Sequence, residues 1–204
     1  MSSATWRPPQ ALCLSQGMLD LDDSSSAGTS LRCSQIDAEQ TVPLRHSVLW
    51  PDEPVSHVLL PEDASGWHYG AFVDSNPVPV AVISLFIDAC PIDKPLNHRG
   101  ENDDTHNRDV RFRKFACDPA YQVLLFSCAC LFHTDCRQGR GIGTKLLLHA
   151  ISVAGSELQG SVLWCDARDE TRGWYERRGL EAFGDIFFKG PVKYIRMKLD
   201  IDTA

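Results

Sequence analysis

The run Gln138-Gly139-Arg140-Gly141-Ile142-Gly143 leads straight into Thr144-Lys145-Leu146-Leu147-Leu148. Three glycines in five residues leave main-chain N–H groups uncovered by side chains. The apolar residues that follow predict a helix whose positive end points back at those amides. Amides at a helix N-terminus bind anions, phosphate above all. The chain is therefore expected to hold a phosphate-bearing cofactor, and the question becomes which one.

Two familiar phosphate motifs fail. A nucleotide-kinase loop needs Gly-x-x-x-x-Gly-Lys-Ser/Thr, but counting back from Lys145 puts Thr144 where the second glycine belongs. A dinucleotide fingerprint needs Gly-x-Gly-x-x-Gly, and from Gly139 or Gly141 the third glycine is missing. Asp166, at the end of a later strand, sits where a ribose partner is wanted, yet one acid does not repair the glycine spacing.

The rest of the chain bounds the setting. Its 204 residues suit one domain with a core plus some additional chain. A formal net charge of −7 argues against a general nucleic-acid binder. The first ten residues carry Arg7, Pro8 and Pro9 where a signal peptide needs an apolar core. An intracellular, cytoplasmic protein with reduced thiols is expected, so the eight cysteines are not a disulfide framework. The longest apolar run, residues 123–132, is too short to span a bilayer.

Residues 1–33 are rich in Ser, Asp and Gly and read as a disordered extension to a domain over 34–204, with a short strand expected over Leu31–Ile36. Asp37 with Gln40 forms a capping-box signature for a helix that reaches Leu49. Pro43 makes Thr41 a rival cap. Strands are expected over Trp67–Val73 and 78–87, separated by the turn cluster Asp74-Ser75-Asn76-Pro77. Residues 88–107 read as a long exposed loop, and 110–117 as a strand with one buried face. A helix follows the glycine loop to about Ala154. A strand over 162–166, a short helix over 170–178 ended by Gly179, and strands over 186–189 and 192–199 complete the order. Strands first, then β-loop-α-β-α-β-β, make an α/β fold.

Gln138-x-x-Gly141-x-Gly143 resembles the acyl-CoA pyrophosphate loop of the GNAT superfamily of N-acetyltransferases. The resemblance extends to Arg111–Cys117, similar to the central strand before that loop. It continues through Trp164-Cys165-Asp166-Ala167-Arg168 and Gly173-Trp174-Tyr175-Glu176-Arg177-Arg178-Gly179-Leu180, similar to the late strand and tyrosine helix. Leu44–Pro51 and His68-Tyr69-Gly70-Ala71 resemble one branch of the family. Together these segments cover about residues 35–200.

The resemblance implies a mixed, mostly antiparallel sheet flanked by helices, with acetyl-CoA as co-substrate and an amine as acceptor, a small molecule or a peptide. It implies that Phe115, Ala116 and Cys117 offer backbone to the pantetheine arm. Gln138, Gly139, Arg140, Gly141, Ile142, Gly143 and Thr144 would hold the pyrophosphate, with Tyr175 as general acid to the leaving thiolate. Asp52, Glu53, His68 and Asp118 are the candidates for the general base, and none is assigned. Arg168 belongs to the structure or to the acceptor site. Where this branch has His before x-x-Met, the chain has Tyr194 before Met197. No metal, nucleic acid or membrane is expected as a partner.

The chain departs from the family at one place. Deleting residues 123–138 would leave Tyr-Gln-Gly-Arg-Gly-Ile-Gly, an unbroken family motif. The segment opens on Val, whose codons begin GT, and closes on Gln, which CAG encodes. His133-Thr134-Asp135 can be encoded as CAC-ACT-GAC, which contains a branch-point-like ACTGAC. A retained intron translated in frame is expected, the rival being a true lipid- or partner-binding insertion. Cys128, Cys130, His133 and Cys136 are zinc-type ligands, spaced more tightly than Cys-x-x-Cys and without a second, distant pair.

Overall fold

Apolar residues at the two-residue period of a strand decide the sheet. Tyr69, Ala71 and Val73; Ala81, Ile83 and Leu85; Val110 and Phe112; Leu163, Cys165 and Ala167; and Ile195, Met197 and Leu199 all enter one buried cluster. In the computed structural model, which describes residues 30–91, 108–121 and 141–201, they line one face of a seven-stranded sheet. Its strands are β1 (Leu31–Ile36), β2 (Trp67–Val73), β3 (Ala81–Ile87), β4 (Arg108–Cys117), β5 (Gly160–Arg168), β6 (Glu181–Lys189) and β7 (Val192–Asp200). They lie in the order β1-β2-β3-β4-β5-β7-β6. Only the β4–β5 pair is parallel.

Helix α2 (Ile142–Ser156) covers the apolar face with Ile142, Leu146, Leu147, Ala150, Ile151, Val153 and Ala154, the stripe that a 3.6-residue period demands. The opposite face carries α1 (Ala38–Leu49), whose fully buried residues are Thr41 and Arg45 rather than an apolar stripe. The Asp37 amide donates to the Gln40 side chain at 2.9 Å, so the helix starts where its capping signature puts it. It runs on through Pro43. Thr41 is no cap, because its hydroxyl donates to the Ala38 carbonyl inside the helix.

Strand β1 has the expected bounds, so Leu31–Cys33 belongs to the sheet and not to the preceding extension. The helix expected over 170–178 is shorter: a single 3₁₀ turn, Asp169–Thr171, leads into α3 (Arg172–Glu176). Strand β6 starts five residues before its expected position, at Glu181. Residues 1–29, most of the 88–107 loop and the whole of 123–138 lie outside the described residues, together with Gln138, Gly139, Arg140 and the cysteine–histidine group.

Two features of β4 shape the molecule. It pairs with β5 only from Arg108↔Gly160 to Arg111↔Trp164, although β4 continues to Cys117 and β5 to Arg168. Beyond that point the two strands part and leave a notch. On its other edge, β4 sets Arg113 opposite Ser84 and Ala116 opposite Val82, one residue more than β3 supplies. Lys114 lies in this bulge with φ of 51°, in the left-handed region that a lysine rarely occupies.

Candidate active site

The notch has two unlike sides. On the α2 side, Gly141 caps the helix in a left-handed conformation (φ 60°). A Cβ added at Gly143 would lie 3.4 Å from the Phe115 ring and 3.7 Å from Trp174. Strand β4, the start of α2 and α3 thus converge on one surface, where a side-chain carbon at Gly143 would be in van der Waals contact with both rings. The Phe115 and Trp174 rings lie 5.8 Å apart. Arg178 binds this corner together: its guanidinium donates to the Thr144 hydroxyl at 2.6 and 2.9 Å and to the Trp174 carbonyl at 2.6 Å, and it stacks over the Trp174 ring at 3.6 Å. Burial draws its pKa down, helped by the neighbouring Arg177.

Tyr175 lies at the floor of the notch, 8% exposed. Its ring packs 5.9 Å from Phe112 and 4.9 Å from Trp174. Burial, with the Cys165 thiol nearby, raises the phenol well above its ordinary value. Tyr175 is therefore held protonated across the physiological range, the state required of an acid. Cys165 is itself fully enclosed, and burial raises its thiol well above the usual range, so it is an inert core residue.

The α1 side is polar. Arg45, with no exposed surface, donates to both oxygens of Asp63 (2.8 and 3.0 Å), to the Val58 carbonyl and to Ser84 Oγ at 2.6 Å. Ser84 Oγ then lies 2.8 Å from His68 Nδ1, and His68 Nε2 lies 2.8 Å from the Asp63 carbonyl. The ring closes when the Ser84 hydroxyl donates to Nδ1 and Nε2–H donates to that carbonyl, an assignment made from the network. Both nitrogens of His68 are then committed. His68, expected among the candidate bases, is a structural residue.

Further along the same face, Asp166 is surrounded by cations. Arg111 lies 2.6 Å and Lys189 2.7 Å from one oxygen; Arg196 lies 3.7 Å from the other, which is buried without a hydrogen bond. Arg111 also pairs with Asp88 and covers the Trp164 ring at 4.4 Å. Asp166, considered as a ribose partner in the sequence, is thus the anchor of this charged row. Tyr194 stacks on Phe187 at 5.8 Å with the Lys189 ammonium 4.8 Å above it. Beside the row, Glu62, Ser65, Trp67, Phe86, Ile87, Asp88 and Arg113 line a groove of about 440 Å³.

A strap of chain after α1 joins the two margins of the notch. Arg168, at the end of β5, donates to the Leu49 carbonyl and lies 5.9 Å from the Trp50 ring. Trp50 packs 4.6 Å from the ring of His57, and the His57 carbonyl accepts from the Lys114 ammonium in β4 at 3.2 Å. Asp52 and Glu53 sit exposed on this strap. Asp118 accepts from the Ala120 amide just after β4.

Of the expected cofactor residues, the structure brings Phe115, Gly141, Ile142, Gly143 and Thr144 together. Ala116 is buried in β4 opposite Val82, and Cys117, opposite Ala81, has its thiol pushed up to about 11 by burial and by Asp118. Sequence reasoning missed the bulge at Lys114, the Arg45 network and the Arg178–Thr144 contact. The Arg45 network had no local signal; the bulge had one in the adjacent basic residues Arg113-Lys114, and the last contact had one in the Arg177-Arg178-Gly179 that follows the tyrosine.

A seven-stranded sheet with one parallel pair, parted over a glycine-opened helix, is the fold of the GNAT acyltransferases. No family model matches the chain. The chain is 26% identical over 160 residues to the uncharacterized N-acetyltransferase YitI of Bacillus subtilis, covering 77% of this chain and 87% of that protein. Among solved structures, FeeM, an N-acyl amino acid synthase from uncultured soil microbes, superposes with a TM-score of 0.58 at 15% identity, over 85% of this chain and 92% of its own. The ribosomal-protein-S18-alanine N-acetyltransferase of Escherichia coli gives 0.55 at 15% identity, over 86% and 96%. These findings agree with the resemblance read from the motifs: the chain is similar in sequence to an N-acetyltransferase and shares the fold of the GNAT acyltransferases. Among the described residues no helix is long and apolar enough to cross a membrane.

Proposed function

We propose that the protein transfers an acetyl group from acetyl-CoA to the amine of a small molecule or peptide by direct attack. The observation that carries this reading is the notch itself. It has a close-fitting, glycine-capped corner on one side, a charged and open face on the other, and a protonated phenol at its floor.

The fit to a coenzyme A arm is supported by the corner's geometry. Gly141 takes the left-handed conformation that frees the first amides of α2 to face an anion, and Gly143 leaves the surface beside Phe115 uncovered by a side chain. Gly141 to Thr144 would hold the pyrophosphate, joined by Gln138, Gly139 and Arg140. Beyond Arg111, the edge of β4 that faces β5 has no strand partner among the described residues, so the stretch from Phe115 to Cys117 has main-chain groups on that edge for the pantetheine amides. The bound thioester supplies an electrophilic carbonyl and a good leaving group. Holding it against the amine removes most of the entropic barrier. Tyr175 donates its phenolic proton to the departing sulfur, a role its burial suits by keeping that proton in place.

Thiol release from acetyl-CoA with a panel of amines tests the proposal: turnover dependent on an amine is expected. The segment at 123–138, which interrupts the family motif, favours a second reading, an acyl-CoA-binding module with impaired catalysis. Tight acetyl-CoA binding with no turnover on any amine would establish that reading instead.

A further inference from the structure

An amine delivered as ammonium must lose a proton before it can attack. The four acids and bases expected from sequence do not meet that need. His68 is locked in the Arg45 network, Asp118 binds the Ala120 amide, and Asp52 and Glu53 stand exposed on the strap. The carboxylates on the α1 side are also committed: Asp63 to Arg45, Glu62 to Arg113, and Asp166 to Arg111 and Lys189.

One group remains at the margin of the notch. The β4 bulge turns Lys114 out of strand alternation, so that Arg113 and Lys114, neighbours in sequence, both reach the α1 side. The Lys114 ammonium donates to a neutral acceptor, the His57 carbonyl, and no carboxylate lies within ion-pair distance of it among the described residues. We infer that Lys114 is the proton acceptor of the transfer reaction, taking a proton from the acceptor's ammonium where β4 and β5 part. This assignment rests on the acyl-transfer reading above.

The surroundings suit the task. Burial is the main cause that lowers the Lys114 pKa from about 10.5 to about 8; Arg45 and Arg113 add to it, Asp63 opposes, and Lys189 lowers it further. The charged and titratable groups around it are thus Arg45 of α1, His57 of the strap, Glu62 and Asp63 of the turn before β2, Arg113 of β4 and Lys189 of β6. A lysine that is desolvated and ringed by cations carries a substantial neutral fraction near physiological pH, unlike an exposed one. The protons balance. Neutral Lys114 accepts one from the acceptor ammonium, and the freed amine attacks the thioester carbon, forming C–N as C–S breaks. The thiolate takes the Tyr175 proton, Tyr175 regains the proton still on the attacking nitrogen, and Lys114 releases its own to solvent.

The test uses the full chain, with acetyl-CoA and benzylamine, spermidine, lysine amide and a peptide beginning with alanine as probes. Wild-type kcat/KM is expected to rise with pH through about 8. Lys114→Arg, always charged, and Lys114→Met, never charged, are each expected to lose about 100-fold and that rise. Acetyl-CoA binding by calorimetry and thermal melting should stay close to wild type, which separates a proton-transfer role from a structural one. NMR of 13Cε-labelled lysine should show a resonance titrating near 8 that vanishes in Lys114→Arg. An unchanged pH profile in Lys114→Arg, a Lys114 resonance titrating near 10, or activity that falls above pH 8 would overturn this assignment alone. Acetyl-CoA binding with no turnover of any probe by the wild type would remove the transfer reading and this assignment with it.

Discussion

The two sides of the notch are built on different principles. The α2 side is made chiefly of two short runs, Gly141 to Thr144 and Trp174 to Arg178, joined across 34 positions by the Arg178–Thr144 contact, and it works through shape. The α1 side is assembled from residues far apart: Arg45 meets Asp63 eighteen positions on, His68 twenty-three and Ser84 thirty-nine. It works through charge. A shaped surface tolerates the loss of a contact in proportion to the area lost. A buried charge network does not, because removing one member strands the others without solvent or partner.

That contrast predicts its largest effect at Arg45. Arg45→Met leaves Asp63, Ser84 and His68 facing an apolar side chain, and should lower the unfolding free energy by about 3–5 kcal/mol in urea titrations. The pH dependence gives a second check. Burial alone would raise the Asp63 pKa; hydrogen bonds from Arg45 and the Leu60 amide, with the Arg45 charge, bring it below the ordinary value instead. Its contribution is therefore complete above the unfolded value of about 3.9 and is lost as the pH falls through and below it. Without Arg45, burial dominates and the sign reverses, so the variant's deficit should shrink on acidification. A loss under about 1 kcal/mol, or a deficit constant from pH 7 to 3, would break the comparison.

Tyr175→Phe tests the floor. It keeps the packing against Phe112 and Trp174 but removes the proton. We expect kcat to fall about 100-fold, close to 2.7 kcal/mol of barrier, with stability and acetyl-CoA affinity unchanged. A fall in affinity with kcat preserved would reduce Tyr175 to a packing residue.

Deleting residues 123–138 restores the uninterrupted motif before the glycine loop. Acetyl-CoA should bind about tenfold more tightly, near 1.4 kcal/mol, by calorimetry. Equal affinities would show that the segment is neutral to the cofactor side, and a sole mature transcript retaining it would mark it as a true insertion. The smallest effect is expected at Gly141→Ala. Its φ of 60° costs an L side chain about 1 kcal/mol, with acetyl-CoA affinity falling by a few-fold.

Legibility followed the same division. Alternation of apolar and basic residues marked β4, β-rich composition beside a turn cluster marked β2, and the capping pair Asp37 and Gln40 marked the start of α1. The glycines, Phe115 and Tyr175 carried the cofactor side because each lies in a short run with a recognisable local pattern. The charged face was hidden. Nothing near Arg45 says that this arginine is buried, because the partners that make burial tolerable lie on other elements. The bulge left a trace that went unread: alternation breaks at Arg113-Lys114, two basic residues in a row, and the apolar phase shifts from Phe112 to Phe115, where β4 has one residue more than β3. His68 misled, since a histidine's role depends on what its two nitrogens meet.

The strap from Leu49 to His57 has a mechanical consequence. Strands β1 to β4 and β5 to β7 are two half-sheets joined by four residue pairs. On the α1 side, Arg168, Trp50, His57 and Lys114 form a tie-rod between them; on the other, Arg178 and Thr144 fasten α3 to α2. The gap is therefore gauged rather than free. A wedge driven between the half-sheets must stretch a tie on each side, so the width available to an acyl chain is set by contacts at the margins of the gap.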